Sequence, residues 1–86
     1  MNTLEVRLYM RRLFRGGMRP ACWMCGVELT RKTATCDHLH PRSRGGSDDW
    51  QNLRPACQPC NNARGNRLLT WQEWAKALEW ERPAHA

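Results

Sequence analysis

Two cysteine pairs with the same spacing, Cys22-x-x-Cys25 and Cys57-x-x-Cys60, most constrain what this 86-residue chain can fold into. A domain of this size buries too little apolar surface to be comfortably stable by packing alone. Two such pairs can supply four thiolates to one tetrahedral zinc, and a zinc with four cysteine ligands has no open position for chemistry. We therefore expect a structural zinc whose binding free energy contributes directly to folding.

A disulfide framework is the alternative use of the cysteines, but it normally comes with an even cysteine count and a secretory signal. The chain has five cysteines, and charged residues such as Glu5, Arg7 and Arg11 interrupt its first segment, which therefore lacks the apolar core of a signal peptide. No stretch is long enough to span a membrane. We expect reduced cysteines in a cytoplasmic protein without a membrane partner, with Cys36 a small buried hydrophobe.

The separation between the two cysteine pairs is larger than in a compact zinc finger. About 30 residues lie between Cys25 and Cys57, against roughly 15–20 in a compact four-cysteine finger. The intervening segment contains Asp37, His38 and Asn52, and further polar side chains follow Cys60 directly. The zinc would therefore fix both ends of a unit that carries an unusual set of polar residues.

The pattern of apolar residues predicts the order helix, strand, loop, strand, helix, helix within a single domain, 1–86. Residues 3–15, in a basic N-terminal segment 1–17, fit an amphipathic helix that Gly16-Gly17 ends, although the alternation of Leu4, Val6 and Leu8 also fits a strand. Short apolar runs at 33–39 and 52–56 predict two strands joined by a loop, and helix-compatible sequence follows from residue 61.

A helix is also predicted over 70–82. Thr70 followed by Glu73 fits a capping box, and Pro83 would end the helix. Trp71, Trp74 and Leu78 recur at helical spacing, which favours an apolar stripe covering the zinc unit over a platform for stacking nucleic-acid bases.

The charge favours a polyanionic partner. Fourteen Lys and Arg against eight Asp and Glu give a formal charge of +6, and all but Lys32 and Lys76 of the basic residues are arginines. The planar guanidinium suits phosphate oxygens, so the balance is typical of a nucleic-acid binder, although many basic proteins are merely soluble.

A set of motif residues follows in a fixed order along the chain: Asp37-His38, Pro41, Gly45-Gly46, Asn52-Leu53, Cys57-x-x-Cys60-Asn61 and Arg64-Gly65. This set resembles the motif of the HNH endonucleases, the ββα-metal (His-Me finger) nucleases that include phage, homing and colicin enzymes. The resemblance covers residues 22–67. It implies an α+β fold, a small ββα-metal core clamped by the four-cysteine zinc, with helices before and after it.

The resemblance also assigns roles. It implies that Asp37 turns toward a divalent metal, that His38 lies on the side of the attacking water, and that the Asn52 side chain ties the loop to the backbone near His38. Imidazole titrates near neutral pH, which independently makes His38 the natural general base. His40, two residues on, is expected to be structural or to contact phosphate rather than to act as a second base.

The third motif position differs from the His-Asn-His pattern that gives the family its name. Asn61 stands where many members have histidine, so this chain would be an HNN variant. Asp37 and Asn61 would both offer hard oxygen ligands, which suit Mg²⁺ or Mn²⁺ better than zinc or nickel. Asn62 is a neighbouring alternative ligand, one position removed.

The arginines near this segment are expected to contact the backbone of double-stranded DNA without reading its sequence. Arg64 occupies the position where the family commonly has lysine. The expected contacts are Arg42, Arg44, Arg64 and Arg67.

The function expected from the resemblance is a metal-dependent DNA endonuclease that leaves 5′-phosphate and 3′-hydroxyl ends. The cleavage is expected to be nicking, double-strand cleavage or both, and the protein is expected to be a monomer or weak dimer. One unit supplies one active site, so double-strand cleavage would need a dimer or two successive events. By analogy with small phage-encoded members, association with DNA-packaging (terminase) proteins is a further possibility. A non-catalytic zinc-stabilised DNA-binding module and a module that presents its tryptophan helix to a protein are the alternatives.

Overall fold

A computed structural model describes residues 3–80 and shows a two-stranded antiparallel hairpin with helices around it. This confirms the α+β class. Helix α1 spans Leu4–Leu13, strand β1 Ala34–His38, strand β2 Leu53–Cys57, helix α2 Gln58–Arg64 and helix α3 Trp71–Glu79, with short 3₁₀ turns at Arg15–Gly17, Arg42–Arg44 and Trp50–Asn52.

The hairpin places the two predicted strands in a register that fixes the site. Ala34 pairs with Cys57 at one end, and His38 pairs with Leu53 at the other. Helix α2 follows β2 without a linker, so the second cysteine pair joins a strand end to a first helical turn. The second cysteine pair therefore lies at one end of the hairpin and His38 at the other.

Helix α1 packs its apolar side on the hairpin. Val6, Tyr9 and Leu13 are buried, which confirms the predicted amphipathic helix over the strand alternative. The Tyr9 hydroxyl donates a hydrogen bond of 2.9 Å to the carbonyl of Leu53, the residue paired with His38. Helix α1 therefore braces the end of the hairpin that carries the histidine.

A buried arginine fastens helix α3 to strand β2. The Arg54 guanidinium donates hydrogen bonds of 3.0 and 3.2 Å to the carbonyl of Ala77 and lies 5.2 Å from the centre of the Trp80 ring. At the other side of the helix the Lys76 ammonium donates to the carbonyl of Met24, in the first cysteine loop.

The expected apolar stripe on this helix is wrong for two of its three residues. Trp71 is 88% exposed and Leu78 is 74% exposed, whereas Trp74 is partly buried and Ala77 is fully buried. The bonds of Arg54 to Ala77 turn the face containing Trp74, Ala77 and Trp80 toward the core, about one residue away from the face that periodicity selected.

The helix begins as predicted. The Thr70 hydroxyl accepts from the backbone N–H of Glu73, and the Glu73 carboxylate accepts from the N–H of Thr70, which confirms the capping box. Pro83, expected to end the helix, and residues 81–82 of the predicted helix lie outside the described residues. No helix within residues 3–80 is long and apolar enough to cross a membrane.

Replacing Thr70 with Ala removes the hydroxyl that caps α3. We expect the free energy of unfolding of the zinc-loaded protein to fall by about 1 kcal/mol, which for a domain of this size lowers Tm by about 4–8 °C. Thermal unfolding followed by circular dichroism measures it. Thr70→Ser keeps the hydroxyl and should unfold like the parent; an unchanged Tm in Thr70→Ala would contradict the role of the cap.

Candidate active site and metal centres

The four paired cysteines converge on one point. Their sulfur atoms all lie within 4.8 Å of one another, and the Sγ atoms of Cys25 and Cys57 are 3.8 Å apart. Tetrahedral zinc with Zn–S bonds of about 2.3 Å requires sulfur atoms about 3.8 Å apart. The four thiols therefore fit a structural zinc, as the spacing predicted.

The first cysteine pair is shaped by a tight turn that docks on the hairpin. The N–H of Cys22 donates to the carbonyl of Val27, and Gly26 has a φ of 83°, a conformation that glycine adopts without strain. The N–H of Trp23 then donates to the carbonyl of Pro55 on β2. This contact brings the first pair to the second across the sheet.

His38, at the end of β1, is held by a carboxylate. Its Nε2 lies 2.7 Å from Oδ1 of Asp48, and the other carboxylate oxygen of Asp48 accepts a 3.0 Å bond from Arg42. The hydrogen bond with His38 is the largest cause that lowers the pKa of Asp48 to about 2. Asp48 is therefore ionised at neutral pH, and the imidazole, its side chain 16% exposed, sits at an anionic partner.

Asn52 holds the loop around the histidine. Its Oδ1 accepts from the N–H of His40, and its Nδ2 donates to the carbonyls of His40 and Ser47, at 3.1 and 2.7 Å. The same loop needs a glycine at position 46, because a Cβ there would lie 1.8 Å from the carbonyl oxygen of His40. Asn52 and Gly46 together fold the segment 39–52 against the end of the strand.

Asp37 points to the opposite face of β1 from His38, as strand geometry requires. It is 3% exposed; Trp23 Nε1 donates to its Oδ2 at 2.9 Å, and the Arg64 guanidinium donates to its Oδ1. Burial raises the pKa of the Asp37 carboxyl, while the indole and the guanidinium oppose that rise. Each oxygen accepts one bond from the protein and retains a second lone pair.

Asn61, on the first turns of α2, offers a second oxygen. Its Nδ2 donates to Thr35 Oγ1 at 3.0 Å and more weakly to the carbonyl of Cys36, so the amide is oriented through its nitrogen. Within residues 3–80, its Oδ1 takes no hydrogen bond from the protein. The oxygen of Asn62, by contrast, accepts a hydrogen bond of 2.7 Å from the side chain of Gln58.

A hard divalent cation suits these donors, since a carboxylate and an amide oxygen are the ligands that Mg²⁺ and Mn²⁺ prefer. The nearby guanidinium of Arg64 partly neutralises the Asp37 carboxylate. A cation bound by the Asp37 carboxylate would share it with Arg64.

A family model described as HNH endonuclease matches residues 22–67, from the first zinc cysteine to Arg67. The chain belongs to the HNH endonuclease family. It is also 34% identical over 56 residues to the CRISPR-associated endonuclease Cas9 of Corynebacterium diphtheriae. That match covers 64% of this chain and 5% of the relative, so the chain spans only a small part of the curated relative's length.

Within this HNH protein Arg64 lies where we did not expect it. It is 2% exposed, and besides Asp37 its guanidinium donates to the carbonyls of His38 and Leu39. In this structure Arg64 is therefore a buried tie between α2 and β1, and its guanidinium is bonded to protein oxygens.

The other three arginines remain at the surface of the HNH unit. Arg44 is exposed and donates through Nε to the carbonyl of Asn66. Arg42 contacts Asp48, and Arg67 makes two bonds to Glu73, yet their side chains stay 43% and 47% exposed.

His40 is bonded within the loop, and Cys36 is a largely buried thiol. His40 Nε2 lies 2.8 Å from the carbonyl of Arg44, as a donor that closes the loop. Burial raises the pKa of the Cys36 thiol to about 12, so this thiol stays protonated and unreactive at neutral pH.

Sequence reasoning missed three side chains that orient the site: Asp48 for His38, Trp23 for Asp37 and Thr35 for Asn61. Thr35 and Asp37 are two residues apart on β1 and so lie on the same face of the strand, which was a weak signal that both belong to the site. The sequence Asp48-Asp49 offers two carboxylates near His38, but it does not show which of the two contacts the imidazole.

Replacing Cys25 with Ser should abolish both zinc binding and folding. Structural zinc is worth about 10–16 kcal/mol in finger peptides, which matches or exceeds the roughly 5–15 kcal/mol net stability of a typical domain. Metal analysis and circular dichroism measure the two effects. Cys36→Ser is the matched control and should keep one zinc per chain; zinc retained by Cys25→Ser, or lost from Cys36→Ser, would contradict the assignment.

Proposed function

We propose that this chain is a divalent-metal-dependent DNA endonuclease in which His38 is the general base. The observation that supports the proposal is the contact of His38 with Asp48 at the end of a hairpin whose loop Asn52 clamps, with Asp37 on the opposite face of the same strand and Asn61 bonded to Thr35 of that strand. A zinc module that only binds DNA would not need this set of oriented side chains. Membership of a nuclease family supports the same conclusion.

The proposed chemistry is hydrolysis of a phosphodiester. His38 takes a proton from a water molecule, whose oxygen attacks phosphorus while the bond to the 3′ oxygen breaks, leaving 5′-phosphate and 3′-hydroxyl ends. Asp37 and Asn61 would hold Mg²⁺ or Mn²⁺; when bound, such an ion stabilises charge on the phosphate and on the leaving oxygen. Asn52 keeps the loop, and with it the partner of His38, in place.

Positively charged side chains at the surface would position the DNA. Arg42, Arg44 and Arg67 lie on or next to the segments that form the site, and the formal charge of +6 attracts the duplex from a distance. These contacts carry no base readout. One chain provides one catalytic set, so a single binding event would nick one strand.

His38→Ala should lower the rate of supercoiled-plasmid nicking by about 10²–10⁴-fold, because the general base is lost. Zinc-loaded protein is assayed with EDTA, Mg²⁺ or Mn²⁺, and the variant is first shown to be folded and zinc-bound. His40→Ala is the control and should lose far less. Tight DNA binding without cleavage under any metal would favour the binding module, and an equally deep loss in His40→Ala would overturn the choice of base.

Arg44→Gln should weaken DNA binding mainly at low salt. Loss of one phosphate contact reduces the slope of log K against log salt by about 1. Fluorescence anisotropy with a labelled duplex at several salt concentrations measures the slope. Arg19→Gln changes the charge equally at a position paired with Glu28 and should leave the slope unaltered; equal slopes in Arg44→Gln and the parent would remove Arg44 from the interface.

A further inference from the structure

The carboxylate beside His38 decides which nitrogen of the imidazole is basic. An ionised carboxylate can only accept hydrogen bonds, and Asp48 is ionised at neutral pH since the pKa of its carboxyl is lowered to about 2. The 2.7 Å contact between Nε2 and Oδ1 therefore requires the imidazole proton on Nε2. A neutral imidazole with its proton on Nε2 carries its lone pair on Nδ1.

The other ring nitrogen is left for a small molecule. Within residues 3–80, Nδ1 of His38 accepts no hydrogen bond from the protein, and the side chain remains 16% exposed. The imidazole is therefore not sealed from solvent. One ring nitrogen is held by the protein, and the other has a lone pair that can accept a proton.

Asp48 is itself held from two sides. Its second oxygen accepts the bond from Arg42, and its backbone follows Ser47, whose carbonyl accepts the 2.7 Å bond from Asn52. The side chains of Asp48 and His38 are 17% and 16% exposed. This pair is consequently better shielded and better fixed than a surface ion pair, which contributes little.

We propose that Asp48 is the positioning residue of the general base: it holds His38 in the tautomer with the proton on Nε2, so that Nδ1 takes the proton from the attacking water. Arg42 orients the carboxylate, and Asn52 acts on the histidine through the loop that carries Asp48. The consequence for catalysis rests on the proposed endonuclease function, whereas the tautomer does not.

The tautomer is measured first, without DNA and without Mg²⁺ or Mn²⁺. Zinc-loaded protein labelled with ¹⁵N is examined by long-range ¹H–¹⁵N correlation over a series of rising pH values, and the tautomer is taken from the spectra in which the His38 ring shifts no longer change with pH. We expect the shifts of a protonated Nε2 and an unprotonated Nδ1 for His38. A His38 ring protonated mainly on Nδ1 would overturn the proposal, whatever the enzyme does.

Kinetics with matched variants test the consequence. Asp48→Asn lets the amide donate to Nε2 and so admits the wrong tautomer; the same exchange in the serine-protease triad lowers kcat by about 10⁴-fold. For plasmid nicking we expect kcat to fall at least about 10-fold with KM changed less than about 3-fold, because the substrate contacts remain. Asp48→Glu keeps the charge and should restore part of the rate.

Asp49→Asn is the control, because it removes the same charge from the exposed neighbouring residue; it should nick like the parent. An unchanged kcat in a folded, zinc-bound Asp48→Asn would overturn the positioning role. If the parent protein cleaves no DNA, the endonuclease proposal fails, and the ¹⁵N shifts of the parent still decide the tautomer.

Discussion

Four sulfur atoms within 4.8 Å of one another are the constraint on which the rest of this small structure depends. They bring the turn that carries Cys22 and Cys25 to the junction of β2 and α2, which carries Cys57 and Cys60. About 30 residues of chain separate these two segments. Apolar burial in a domain of this size could not replace that link. A metal bound by these four sulfur atoms would fix the start of α2 and the end of β2 against the first cysteine loop.

At the far end, the polar groups form one connected set. Asn52 closes the loop on the backbone of His40 and Ser47, Asp48 in that loop meets His38, and Arg64 links helix α2 to the strand through Asp37. Buried polar groups are costly unless each is satisfied, so such a set specifies one arrangement of the strand and loop. The proposed catalytic geometry and the local folding would thus rely on the same bonds.

The sequence predicted the elements whose signals are local. Cysteine spacing indicated the zinc site, and the Thr70 and Glu73 pair located the start of α3, since both patterns lie within a few residues. The sequence did not predict contacts between residues far apart in the chain. Arg64 bonds to Asp37, which is 27 positions away, and Arg54 bonds to the carbonyl of Ala77 on α3, so that Trp71 on that helix stays exposed. Such contacts depend on how elements dock, which no periodicity specifies.

The central claim is that the zinc clamp holds the histidine loop in its working arrangement. Amide hydrogen exchange, measured before and after a chelator removes the zinc, tests this claim most directly. The two amides to follow are the N–H of Leu39, which donates to the carbonyl of Asn52, and the N–H of His40, which donates to the Asn52 side chain. We predict that both amides lose their protection together with those of β1 and β2 as the metal leaves. Protection of the loop that survives complete removal of zinc would contradict the claim.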